Sequence, residues 1–193
     1  MKAELLSGEA RKAAARLVVE NHYARSVPSG KSHYVKVGDV LIVWALPANM
    51  HTATVVLGKG ARNGSVWELA RMWAPDGHTT TCTQAIRVAI KELQRLENPL
   101  ALVSYADPNA QHNGTVYKAA SWALHGITED QRGWRKDGQF YPRRKFHSGK
   151  DFLRKPQIEA LGYTQDSLPG KIRFIKLLKR RPTKGSAQRP VAK

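Results

Sequence analysis

Leu100-Ala101-Leu102-Val103-Ser104-Tyr105-Ala106-Asp107-Pro108 is the stretch on which the fold turns. From Leu100 to Tyr105 it is nearly continuous in apolar residues, the pattern of a strand buried on both faces. Asp107-Pro108 breaks that strand, because proline lacks the N–H that a ladder needs. Upstream, Ala85, Ile86, Ala89, Ile90, Leu93 and Leu96 recur at helical spacing, which predicts a helix over about Thr81 to Glu97, stopped by Pro99. Downstream, a further helix is expected from Gly114 to about Trp122. A both-sides-buried strand between two helices calls for a sheet with helices packed on it.

Working outward, Ala10, Ala13, Ala14, Leu17 and Val18 predict an amphipathic helix from Glu9 to about Tyr23, ended by Val27-Pro28-Ser29-Gly30. The β-rich runs His33–Val37 and Val40–Leu46 flank Gly38-Asp39, a hairpin signal whose leading glycine suits a II′ turn. Thr52–Leu57 and Val66–Trp73 read as strands. Beyond the Gly114 helix the chain mixes short strands and basic loops to about Tyr163. The expected class is α/β, with a mixed sheet flanked by helices. Residues 1–165 are expected to form a single domain, of which 131–165 is strongly basic. Residues 166–193 are expected to be a basic C-terminal tail, mobile at its end from Arg180.

The 193 residues carry 32 Lys plus Arg against 15 Asp plus Glu, a formal charge of +17. The surplus is uneven: 1–130 hold 14 basic and 11 acidic side chains, whereas 131–193 hold 18 and 4. Such a field attracts polyanions. Arg132, Arg135, Lys136, Arg143, Arg144 and Lys145 are interleaved with Trp134, Phe140, Tyr141 and Phe146, which suits DNA contacts better than mere solubility. The lone cysteine, Cys82, excludes a disulfide framework or Cys-based zinc cluster within this sequence. No apolar run approaches the roughly 20 residues of a bilayer span, so a soluble protein in a reducing compartment, without membrane partner, is expected. Dinucleotide, P-loop, zinc-protease and Gly-x-Ser-x-Gly signatures are missing, which sets aside those enzyme classes.

Three constellations could carry chemistry. The first is Asn21-His22-Tyr23-Ala24-Arg25, at a helix end. In the second, Glu68-Leu69-Ala70-Arg71-Met72-Trp73, strand alternation separates Glu68 from Arg71. The third joins Ser104 and Asp107, at a strand's carboxyl end, to His112, Asn113 and Tyr117, about one turn into the next helix. Ligands of open α/β sheets bind at such strand ends. A carboxylate near a phenol can orient an attacking amine and protonate a leaving group. Taken singly, an Asp before Pro is a turn residue and a helical Tyr is packing.

The third constellation, from Ser104 to Trp122, resembles the signature of phage Mom-type DNA modification proteins. Glu68 to Trp73 and His22 to Pro28 resemble other parts of the same family, and the similarity spans about residues 15 to 126. The resemblance implies a GNAT-like acyltransferase fold. It also implies conversion of adenine in double-stranded phage DNA to N6-(carbamoylmethyl)adenine, in the host cytoplasm, as a shield against restriction. It makes Asp107 and Tyr117 functional residues, with Arg71 and Ser104 beside them. His22, Tyr23, Tyr34, Glu68, Trp73, His112, Asn113 and Trp122 become the substrate-binding candidates, with Tyr23 and Tyr34 as alternatives for one position. The implied acyl-CoA would lie on Gly77, Thr79, Thr80 and Thr81, although Asp76 there would repel phosphate. Iron through Asp107 with His22 or His112 is a further option, and no metal ligand is assigned. Two other functions fit the same residues: an N-acyltransferase for a small molecule, protein or RNA, and a non-enzymatic basic nucleic-acid-binding protein.

Overall fold

The computed structural model describes residues 1–146 and 152–179, without the side chain of Arg144. The mobile end expected from Arg180 lies outside the described residues. The chain divides into two compact units. One comprises Met1–Ser104, Thr115–Leu124 and Phe174 onward; the other comprises Tyr105–Gly114 and His125–Arg173.

In the first unit, β1 (Ala3–Leu6) leads into α1 (Gly8–Asn21) and then the hairpin of β2 (Ser32–Val37) and β3 (Val40–Ala45). Val37 pairs with Val40 across a two-residue loop, and Gly38 has φ +60° while Asp39 does not enter the positive region, as a II′ turn requires. The buried stripe of α1 is narrower than its periodicity suggests: Ala14 and Val18 are buried, whereas Ala10, Ala13 and Leu17 are exposed. Thr52–Leu57, expected as a strand, is a short helix, α2. The Asn49 side chain accepts from His51 N, Asn49 O accepts from Thr52 N, and Gly58 at φ +90° ends the helix. These local turns override the β propensity of Thr52, Thr54, Val55 and Val56.

β4 (Val66–Trp73), α3 (Cys82–Leu96), β5 (Ala101–Ala106) and α4 (Thr115–Ala119) follow the predicted order. Ala85, Ile86, Ala89, Ile90 and Leu93 of α3 are buried. Asn98 at φ +47° turns the chain out of α3 before Pro99. With β6 (Ala123–Ile127) and β10 (Ile172–Leu177) the central sheet has seven strands, in the order β1-β2-β3-β4-β5-β10-β6. β1 to β4 are successively antiparallel, and β4 pairs parallel with β5 over Val66–Glu68 and Ala101–Val103.

In the second unit, β7 (Gln131–Lys136) lies between β8 (Gln139–Pro142) and β9 (Thr164–Leu168) in an antiparallel three-stranded sheet, followed along the chain from β8 by α5 (Lys155–Ala160). Trp134, Phe146 and Ile158 form its core, with Tyr141, Leu153 and Tyr163 against them. β9 and β10 thus occupy residues where composition alone reads a basic extension. No helix among the described residues is long and apolar enough to cross a membrane.

Candidate functional site

The first unit holds a buried phenol. Gly114 ends the preceding loop at φ +74°, and α4 then places Tyr117, 4% exposed, against Trp122 (ring centroids 5.6 Å) and Phe174 (5.4 Å). Burial pushes the phenol up to about 12, with the neighbouring Tyr23 and Glu68 adding to the rise and a hydrogen bond with Ser104 opposing it. Ser104 in β5 is itself buried and donates to Leu69 O at 2.8 Å. At neutral pH this tyrosine is protonated.

Arg71 stands next to a register irregularity: Val43 pairs with Arg71 but Trp44 pairs with Leu69, leaving Ala70 unopposed. The Arg71 guanidinium answers this by donating to Ala70 O (2.6 Å), and also to Ser26 O (2.8 Å) and Ser26 Oγ (3.1 Å). It pins the loop after α1, which carries His22 and Tyr23. His22 Nδ1 accepts from Ala24 N, and its ring lies 4.4 Å from that of Tyr23.

The aromatic candidates separate by burial. Tyr34 is 3% exposed, packed with Ala14, Val18, Leu41 and Val43, and burial raises its pKa. Trp73 packs on the same cluster, and Trp122 is buried beside Tyr117. Tyr23 is 47% exposed, with the His22 ring beside it. Tyr34, Trp73 and Trp122 are wall and core rather than free stacking faces.

The second unit holds Asp107. Its Oδ1 accepts from Asn109 N (3.1 Å) and Asn109 Nδ2 (3.0 Å), and its Oδ2 meets Lys171 Nζ at 3.0 Å. Burial would raise the carboxyl, but Lys171 and Asn109 outweigh it and hold it below its ordinary value. Lys171 was not among the sequence candidates, since no local pattern links it to Asp107. Its delivery is specific. Gly170 N donates to Asp130 Oδ1, Lys171 N donates to Thr128 Oγ1, and a Cβ on Gly170 would lie 1.9 Å from Thr128 O. His112 donates its backbone N–H to Asp107 O, and its Nδ1 accepts from Gly114 N. Burial lowers its pKa while Asp107 opposes the fall, so the ring is neutral near pH 7. Asn113 is exposed.

Coenzyme A does not fit the loop before α3 as it stands. Thr79 N, Thr79 Oγ1 and Thr80 N all donate to the Asp39 carboxylate, at 2.6, 3.1 and 3.1 Å. These bonds, led by the Thr79 amide, drive the Asp39 pKa far down. Thr81 caps α3 and Gly77 sits exposed at φ +72°. A pyrophosphate here would have to displace an internal anion. Iron fares no better: the Asp107 oxygens are already engaged by a lysine and an amide. Among the described residues no cluster of three or more His, Cys, Asp or Glu could hold a metal ion.

The expected DNA contacts divide. Arg135 is tied to Asp166 (2.6 Å) and Gly138 O, Lys136 to Leu161 O, and Lys145 lies 3.8 Å from the Tyr141 ring centroid. Arg132 and Arg143 line a cleft in the second unit. No curated protein matches the chain. The model of the Mom protein family matches residues 6–190, nearly the whole length, and on that match the chain belongs to this family of phage DNA modification proteins.

Proposed function

We propose that the chain installs a carbamoylmethyl group on N6 of adenine in double-stranded DNA, yielding N6-(carbamoylmethyl)adenine and shielding phage DNA from restriction. The observation that carries this reading is Tyr117: a buried, protonated phenol hydrogen-bonded with Ser104 in a chain of the Mom family. Adenine N6 is paired and stacked in a duplex, so the base must leave the stack to react. The exposed Tyr23 ring offers a face for the displaced base, and Arg71 positions it through Ser26.

In the reaction N6 gains one bond to a methylene carbon and loses one proton, while the donor's leaving group departs with the bonding pair. Tyr117 supplies the proton to that leaving group, and the proton released by N6 passes to solvent, which returns one to the tyrosinate and regenerates the phenol. Asp107, in the second unit, is held ionised by Lys171 and Asn109. No step passes through acyl-CoA: an acetyl thioester lacks the amide nitrogen of the product, and Asp39 engages the loop amides.

The sheet order, antiparallel through β4 and parallel at β4–β5, also suits a GNAT-like N-acyltransferase for another amine. Digestion of DNA from cells expressing the chain, with nucleosides separated by mass, distinguishes the two. A carbamoylmethyl deoxyadenosine that disappears with Tyr117→Phe supports the proposal. Ordinary nucleosides alone, at good expression of the soluble wild type, overturn it.

A further inference from the structure

Arg132 and Trp134 are two residues apart on β7 and share one sheet face. Their partners on β9 are Ser167 and Gln165. Trp134 is 5% exposed and builds the core with Phe146 and Ile158, whereas Arg132 stands at the exposed continuation of the same face. Arg143 follows β8 directly, and Lys155 begins α5. Together with Gly133 and Gln165 they line a cleft of about 200 Å³. Gly133 is obligatory there, since a Cβ would lie 2.3 Å from Tyr141 O and 2.5 Å from the Phe140 ring.

Charge and size restrict the occupant. Three cations face the cleft, and its volume is below the roughly 300–1,000 Å³ of ordinary coenzyme or drug-sized sites. The carboxylate nearest along β9, Asp166, lines an adjoining hollow with Arg132, and Arg135 Nε holds it at 2.6 Å. Among the described residues, the ion pair of Lys155 is a long exposed contact with Glu159, 3.7 Å. Among the described residues neither Arg132 nor Arg143 makes an ion pair. Arg135, Lys136, Lys145 and Lys171 have partners inside this unit.

We infer that this cleft seats one phosphodiester of the nucleic-acid backbone, with Arg132 and Arg143 as its principal contacts and Lys155 and Gln165 beside them. The phosphate chemistry follows from the cleft itself; naming DNA as its source rests on the proposed function. Planar guanidinium forks match phosphate oxygens in pairs. A contact of this kind positions the duplex without reading its sequence.

The test uses the full chain. Binding of a duplex oligonucleotide is followed against salt for the wild type, for Arg132→Ala with Arg143→Ala, and for Lys59→Ala with Arg62→Ala. The last pair removes the same charge from exposed positions of the first unit. The cleft variant should lower the slope of log K against log salt by about 0.9, the value expected for loss of one phosphate contact. The control should change it far less. Equal losses in the two variants, or an unchanged slope in the cleft variant, overturn the site. In parallel, inorganic phosphate is titrated while the arginine Nε resonances are observed. Shifts confined to Arg132 and Arg143 support the cleft independently of DNA, and their absence overturns it. Phosphate shifts alongside unmodified cellular DNA would sink the adenine chemistry and leave the cleft standing.

Discussion

At the residue scale the two sequence candidates with the strongest chemistry are perturbed in opposite senses. Tyr117 is raised and protonated; Asp107 is lowered and ionised. Tyr117→Phe keeps the ring against Trp122 and Phe174 and leaves Ser104 donating to Leu69 O, so stability should fall by only about 1 kcal/mol. Loss of a positioned proton donor should nevertheless reduce modified adenine by about 10²–10⁴-fold, measured by nucleoside mass spectrometry beside a thermal melt. For Asp107 the pH dependence has a definite sign. A carboxyl lowered by folding stabilises the native state above its unfolded pKa of about 3.9, and that contribution disappears as pH falls through the folded pKa. Asp107→Asn removes the charge facing Lys171 and keeps an acceptor for Asn109. The melting temperature of the variant should lie below the wild type at neutral pH, with the gap closing only below about pH 4. A gap constant from neutral to strongly acid pH would show that the Lys171 pair contributes nothing.

At the element scale, legibility follows locality. α3 and β5 were readable because each shows its burial in consecutive residues: Ala85, Ile86, Ala89, Ile90 and Leu93 on one face, and Ala101 to Val103 on both. The II′ hairpin was readable because one dipeptide specifies it. β7 and β8 also had a dipeptide signal, Asp137-Gly138, whose φ of +51° and +76° marks a tight hairpin, but flanking charges obscured the strand alternation. Thr52–Leu57 reads as a strand and folds as a helix because propensity is weak against an Asn49-initiated turn. Within the candidate site, the residue types were legible and their partners were not. Arg71 meets Ser26 from 45 residues away and Asp39 meets Thr79 from 40, and no spacing rule reaches so far. The Gly170–Lys171 turn is the same case, and it can be tested as an element. Gly170→Ala forces a Cβ into Thr128 O and should cost about 1–3 kcal/mol in a denaturant titration. Since the same turn delivers Lys171 to Asp107, the variant should also flatten the acid limb of the stability profile, as Lys171→Ala should without the steric clash. Retention of the wild-type acid limb would mean that Lys171 reaches Asp107 independently of Gly170.

At the scale of the whole molecule, composition suggests a neutral body followed by a basic extension, and that division does not coincide with structural roles. β10, drawn from the charge-rich end, supplies Phe174, wholly buried and 5.4 Å from the Tyr117 ring. Lys176 on the same strand donates to Ala120 O and Ser121 O. The basic end therefore contains both a core strand and, from Arg180, five further cations with no acidic residue. Two truncations separate these contributions. A chain ending after Gln165 loses Phe174, whose burial alone is worth about 3–5 kcal/mol against alanine, together with β10 and most of β9. It should lose its cooperative melt and its DNA modification together. A chain ending after Lys179 keeps every described strand and lowers the formal charge from +17 to +12. It should melt cooperatively and bind DNA with a salt slope reduced by about 0.9 for each of the five cations that touches phosphate. If the shorter chain folded as well as the longer one, β10 would be dispensable, and the packing of Phe174 on the Tyr117 ring would contribute nothing to stability.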